Sequence, residues 1–199
     1  RAAQDPGVTA TFEVATTTTL AGSSTTVPAT AGVTTTAAGG DGAPAFKRED
    51  AEAIHAQIGA ARLVAPVVSK SITAVYLANN WSTVVSGTND DYFEAGNWEV
   101  AEGRVFSDAE ERAGKSVCVL GETVRDKLFG GQNPVGSEIR VKDFACEVIG
   151  LLKSKGQSAM GNDQDDVVIM PLRTVQRRIS GTTDVNRVMV SVSSGASID

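Results

Sequence analysis

Residues 109–121, "AEERAGKSVCVLG", admit two readings, and the choice between them decides the fold. The first eight residues fit the looser phosphate-loop pattern, Ala or Gly, four residues, then Gly-Lys-Ser. A phosphate loop needs backbone N–H groups curling round an anion, a Lys aimed at it, and a helix starting there after a buried strand. Here Asp108, Glu110 and Glu111 stand where the phosphate should go. The next residues, "VCVLG", form a short apolar run rich in β-branched residues, which reads as a strand. The order is loop and then strand, the reverse of what the motif requires. The segment is therefore expected to be a charged turn leading into a strand, with no nucleotide bound there.

Outward from this stretch, the 199 residues suffice for one substantial core or two small ones. A net charge of -6 with scattered basic residues argues against nucleic acid as a partner. No apolar run is long enough to span a bilayer, and "RAAQDPG" at the start lacks the apolar segment of a signal peptide. The chain reads as a soluble piece cut from something larger. His55 is the only His, so neither a zinc site nor a nucleophile–base pair can be assembled around it. No cofactor is expected. Cys118 and Cys146 lie in strand-like runs and suit buried thiols; a disulfide is the alternative if the compartment is oxidising and the strands are neighbours.

Residues 1–45 hold about a dozen Thr and almost no charge. "VTATFEV" at 8–14 alternates as a strand does, and the remainder reads as weak strands joined by flexible linkers or as a Thr-rich stalk. The pattern then tightens. Residues 47–58, "KREDAEAIHAQI", predict a helix with Ala51, Ile54 and Ile58 on one face. After Pro66 a long strand-like segment is expected to fold back at "ANN", residues 78–80. Within it, Asn80-Trp81-Ser82 is formally a glycosylation acceptor, which matters only in a eukaryotic secretory context. Tyr92, Phe93, Trp98 and Phe106 predict an aromatic core cluster. Further on, "ETVRDKLFGG" reads as a helix closed by Gly130 or Gly131, "SEIRV" and "ACEVIGLL" as a hairpin about "KD", and "VVIM" as a buried strand. Pro171 is placed as the first residue of a last helix ended by Gly181. A final strand alternates through Val188, Val190 and Val192. This mixture is α+β.

The loop "KSKGQSAMGNDQDD" is the one place where chemistry could reside. Asp163, Asp165 and Asp166 could act as acid and base or hold a divalent cation, although "DQDD" lacks the spacing of an EF-hand. The plainer reading is that polar loop residues satisfy backbone donors.

Several motifs in a fixed order, "WSTVVSGT", "GRVFSDAE", "LG-TV---LFG--NPVG", "VIG-L-SKGQS" and "DQDD", resemble the periplasmic core domain of MacB-type ABC transporter permeases, a group that includes lipoprotein-release and FtsX-like permeases. The resemblance covers about residues 46–195, and "KGQS…GNDQDD" is most similar to the macrolide-exporter branch. It implies a non-enzymatic, two-lobed domain in the periplasm, carried by a bacterial inner-membrane protein, with ATP hydrolysed on a separate cytoplasmic domain. A porter-like lobe of βαβ units would comprise residues 24–88 and 166–199, a β-rich sabre-like lobe residues 89–165, and residues 1–23 an atypical leader. The partners implied are a periplasmic adaptor, an outer-membrane channel joined through it, and a second copy of the permease, for export of drugs or other amphiphilic substrates. Gly87, Thr88, Gly156, Gln157, Ser158, Gly161, Asp163, Gln164, Asp165 and Asp166 would form the crossings between lobes, where hinge motion concentrates. Family members continue past "VSVSSGASID" with a helix and a strand, which "VTATFEV" faintly resembles; a rearranged chain joining the two membrane-proximal ends would account for this, with "VTATFEV" paired in the porter sheet. A free-standing carboxylate-based hydrolase or cation-binding domain using Asp163, Asp165 and Asp166 is the alternative.

Overall fold

The computed structural model describes residues 32–35, 46–47, 61–157, 161 and 163–192. The expectations for "VTATFEV", for most of the helix at 47–58 with His55, and for Ser158 lie outside them. Lys47, assigned to that helix, instead belongs to the two-residue strand β2 (Phe46–Lys47), paired with β10 (Asp184–Val185).

The organising element is a long hairpin. Strand β3 (Ala61–Tyr76) runs 16 residues and returns as β4 (Asn79–Thr88) in unbroken register from Val68↔Gly87 to Tyr76↔Asn79. The turn is Leu77 and Ala78, earlier than the expected "ANN". Asn79 and Asn80 belong to β4, and the Asn79 side-chain amide donates to the Leu128 carbonyl at 2.8 Å. Asn79 thus serves a distant helix end instead of forming the turn.

Round this hairpin the strands close a ring. β4 pairs in parallel with β9 (Val167–Pro171), and β9 pairs antiparallel with β6 (Val117–Leu120). β6 pairs in parallel with β8 (Phe144–Leu152), which turns back through Lys142 and Asp143 onto β7 (Glu138–Val141). β7 then meets β3 again at Ala74↔Val141 and Val75↔Arg140. Outside the ring, β11 (Arg187–Val192) and β1 (Gly32–Thr35) extend the sheet from the first half of β3, and β5 (Val100–Gly103) from the end of β8. Strands from both prospective lobes share the ring, so the sheet is continuous across the boundaries drawn at 88 and 166.

The ring separates two cores. Ala74, Val85, Cys118, Leu120, Ile139, Val141, Cys146, Val148, Val168 and Met170 point inward and form one cluster. Two helices complete it. The first is α3 (Glu122–Phe129), which contributes Val124, Leu128 and Phe129 and ends at Gly130 as expected. The second is α4 (Leu172–Val175), which contributes Leu172 and Val175. Ala65, Val67, Val119, Ile149 and Ile169 face outward against α1 (Asp91–Ala95). There Tyr92, Phe93 and Phe106 are buried, Phe93 packing edge-on to Phe106 at 5.2 Å, with Trp98 at the margin: the expected aromatic core. Val188 is buried, but Met189 on the opposite face of β11 also packs against this outer core, so alternation there is incomplete.

Both cysteines are free thiols, fully buried on adjacent strands of the ring. Burial, and then hydrogen bonding to Cys118, push the Cys146 thiol well above its usual pKa, which keeps it protonated and inert.

Pro171 ends β9 and stands before α4, its extended ψ of 134° placing it outside the helix. The helix continues as a π-turn, Gln176–Ser180, closed at Gly181 with a φ of +74°. Val175 lies directly over Gly87, where an added Cβ would fall 2.5 Å from the Val175 Cβ. Only glycine lets α4 approach β4 this closely.

Candidate functional site

The phosphate-like segment is a helix and its cap. α2 (Asp108–Ala113) begins at Ser107, whose hydroxyl accepts from the Glu110 amide while the Glu110 carboxylate accepts from the Ser107 amide. This reciprocal capping box explains why "SDAE" precedes the run, a Ser-x-x-Glu signal that the turn reading overlooked. At the other end Gly114 takes a φ of +64°, its amide bonding to Glu111 O and the Lys115 amide to Glu110 O. This is a Schellman closure. The amides that a phosphate loop would offer to an anion are spent on helix carbonyls, and the Lys115 ammonium lies 3.7 Å from the Glu110 carboxylate. Glu110 also takes a bidentate pair from Arg104 at 2.7 and 2.9 Å. The Arg104 guanidinium, with the Ser107 amide, holds this carboxyl down to about 2.

The acidic loop assigns each carboxylate a different task. Asp165 is buried to 4% exposure and receives the amides of Lys155 and Gly156, each at 2.8 Å, and the Ser154 hydroxyl. Burial alone would raise its pKa; those amides, the hydroxyl and the Lys155 charge outweigh it and hold the group below its ordinary value. Asp166 accepts from the Trp81 indole at 3.0 Å, and Asp163 from the Thr123 hydroxyl at 2.7 Å and the Asp165 amide at 2.9 Å. The loop therefore clamps β4, the start of α3 and the segment leaving β8 to the start of β9. The fit is close: a Cβ on Gly121 would fall 2.1 Å from the Asp165 carbonyl oxygen.

Lys155 carries the clamp further. Its ammonium sits over the Trp98 ring at 3.8 Å and donates to the Gly96 carbonyl, joining the loop to the end of α1. Burial lowers its pKa, and the Asp165 charge partly restores it.

The other expected crossing lies elsewhere. Gly87 and Thr88 pair with Met170 and Pro171 at the far end of β9 from the acidic loop. Gly156 and Gly161 adopt left-handed conformations, Gln157 bridges Asp163, and the Gln164 amide bonds to Gly156 O. The structure thus gathers Gly156, Gln157, Asp163, Gln164, Asp165 and Asp166 into one knot and leaves Gly87 and Thr88 apart. The carboxylates do not converge on a common point. Among the described residues no group of three His, Cys, Asp or Glu side chains is placed to hold a metal ion.

The MacB-like periplasmic core domain family matches residues 7–199. The chain belongs to that family. The match begins well before residue 46, so most of the Thr-rich leader lies within the family's domain. Relatives of the MacB-like domain include the macrolide export ATP-binding/permease protein MacB of Syntrophobacter fumaroxidans, 37% identical over 164 residues, which cover 81% of this chain and 23% of that protein. The pyoverdine export ATP-binding/permease protein PvdT of Pseudomonas aeruginosa is 35% identical over 64% of this chain and 19% of its own length. The MacB-like chain thus spans no more than about a quarter of the relatives it matches. Among solved structures, the extracellular domain of the ABC-type transporter YknZ from Gram-positive bacteria is 25% identical with a TM-score of 0.66, covering 76% of this chain and 75% of that one. The periplasmic region of MacB from Actinobacillus actinomycetemcomitans shares the fold, with a TM-score of 0.67 at 22% identity over 76% of this chain and 67% of that one.

Proposed function

We propose that this MacB-like domain is the periplasmic part of an ABC efflux permease, that it passes ATP-driven motion of the membrane portion outward, and that it docks a periplasmic adaptor. Through the adaptor it would meet an outer-membrane channel, and through its own copy a homodimeric transporter. Drugs or other amphiphiles, macrolides and siderophore-like compounds among them, are the class of cargo, and the ATPase resides on another domain. The observation that supports this best is the family match over residues 7–199, joined to a loop whose carboxylates are all engaged in holding strands together. Carboxylates so engaged suit a domain that transmits force and leave little for catalysis. Motion would concentrate at Gly87 and Thr88 and at the knot of Gly156, Gln157, Asp163, Gln164, Asp165 and Asp166. Immobilised periplasmic adaptors from several MacB-like systems, probed with the purified chain, test the reading. Saturable binding to at least one adaptor is expected, and failure with every adaptor would sink it.

A further inference from the structure

Two hairpins that point in opposite directions close the ring, and they overlap only at their tips. The β3–β4 hairpin turns at Leu77 and Ala78, the β7–β8 hairpin at Lys142 and Asp143. Both turns begin with a left-handed residue, φ +50° at Leu77 and +58° at Lys142. β3 and β7 meet only at Ala74↔Val141 and Val75↔Arg140. Val141 is the last residue of its strand, and Ala74 and Val75 stand just before the end of theirs.

No further pairing adjoins this seam along β3. β11 accompanies β3 up to Arg187↔Val67, and the Asn186 side chain takes the Ser69 amide at 3.0 Å. Lys70, Ser71, Ile72 and Thr73 then have β4 on one side and, among the described residues, no strand on the other. A long ladder frays from its ends inward, and this one consists of ends. Loss of its two residue pairs frees β7 from β3 and disturbs no neighbouring pair.

One other junction of the ring is as short, but it is better held. β6 and β9 share Val119↔Ile169 and Leu120↔Val168, and all four residues are fully buried. Val119 and Ile169 belong to the outer core, Leu120 and Val168 to the inner one. The Gly121 amide extends that junction by donating to Val167 O at 2.9 Å. At the β3–β7 seam only Ala74 and Val141 are buried, both in the inner core. Val75 is half-buried and Arg140 exposed, and neither belongs to the outer core. The seam is thus packed on one face alone, and segments with few buried contacts open first.

The two thiols lie behind it. Cys146 on β8 pairs with Ile139 on β7, and Cys118 stands on the next strand. Both belong to the inner core with Ala74 and Val141 and are fully buried, so a reagent reaches them only when that core opens.

We propose that the β3–β7 seam is a gate in the folded protein, parting and reclosing while the other strand junctions of the ring stay paired. Parting separates Ala74 from Val141, opens the inner core toward Cys146, and lets the distal end of the long hairpin move against β7 and β8. The gate rests on pairing within the chain and stands apart from the permease reading. The test uses the full 199-residue chain, in water and in urea below the unfolding transition. Amides paired across β3–β7 should exchange their hydrogens about tenfold faster or more than those across β6–β9, with little dependence on urea, because a local opening exposes little surface. Reaction of Cys146 with a small thiol reagent should show the same urea-independent component. Val75→Cys with Arg140→Cys, directly opposite in register and joined by oxidised glutathione, should remove that component and leave only labelling through global unfolding. Equal protection at the two junctions overturns the gate, and exchange in the wild type decides this even where the cross-link does not form. Cys146 labelling that follows global unfolding at every urea concentration overturns it too, as does a urea-independent component that survives the cross-link.

Discussion

Asp165 and Leu77 stand at opposite extremes, 4% and 84% exposed, and each is the reverse of what its chemistry favours. The carboxylate is inside because the chain leaving β8 wraps it with two amides and a hydroxyl. The apolar side chain is outside with no partner in either core. A buried acid whose oxygens are all committed acts on its own fold. An exposed Leu on a turn contributes little to that fold, and single exposed apolar residues are ordinary on protein surfaces. The carboxylate is held by its own chain, and the apolar side chain is held by neither core.

The largest effect expected from this contrast is at the clamp. Asp165→Ala leaves two amides without their acceptor and should lower stability by about 2–3 kcal/mol, read as a shift of the urea midpoint. Gly121→Ala, which forces a Cβ against the Asp165 carbonyl, should cost about 1–3 kcal/mol by overpacking. Asp166→Ala, freeing only the Trp81 indole, should cost about 1 kcal/mol, and exposed Asp163→Ala less than that. Equal losses at all three Asp positions would break the picture of a clamp centred on Asp165.

Glu110 offers a second measure of commitment, through pH. Its folded pKa of about 2 lies below the ordinary 4.5, so its stabilisation is complete above 4.5 and drains away as pH falls toward 2. Because Arg104 is largely exposed, the whole contribution should be about 1 kcal/mol, and less in high salt. Glu110→Gln should flatten this acid limb of the stability curve and leave the neutral plateau only slightly lower. A limb of unchanged steepness in Glu110→Gln would assign it to other carboxylates.

The smallest effects should come from the two hairpin tips. Leu77→Gly and Lys142→Gly each relieve a left-handed residue and loosen the unfolded chain, two opposing terms that should leave stability within about 1 kcal/mol of wild type. The tips should therefore be indistinguishable by thermal unfolding. A loss of several degrees confined to Leu77→Gly would mean that this side chain does support the fold.

Local signals in the sequence were legible wherever a single element contained its own reason. "ETVRDKLFGG" carried its helix and its glycine stop, and "EIRV-KD-FACEV" carried its hairpin, because the turn and alternation lie within a few residues of each other. The "SDAE" capping box was equally local, yet its acidity led to a charged turn where a helix formed. Pro171 suits a helix start, but its neighbours Val168, Ile169 and Met170 draw it into the end of a buried strand. The candidate site was half visible. Its acids could be found from composition, but Trp81 and Thr123 lie 85 and 40 residues from the carboxylates they serve, and no periodicity announces such pairings. Closure of β7 onto β3 through two residue pairs is likewise unwritten in either strand alone.

That ring also sets a timetable. β4 is complete at Thr88, but its parallel neighbour β9 is not finished until Pro171. At typical rates of synthesis, about 5–20 residues per second, roughly 4 to 17 seconds separate the two. During that interval the hairpin offers an unpaired edge and an uncovered apolar face. Closure of the ring thus waits for β9, the last of its strands to be made, and the nascent hairpin is the stage at which a chaperone, or premature pairing with another chain, would act.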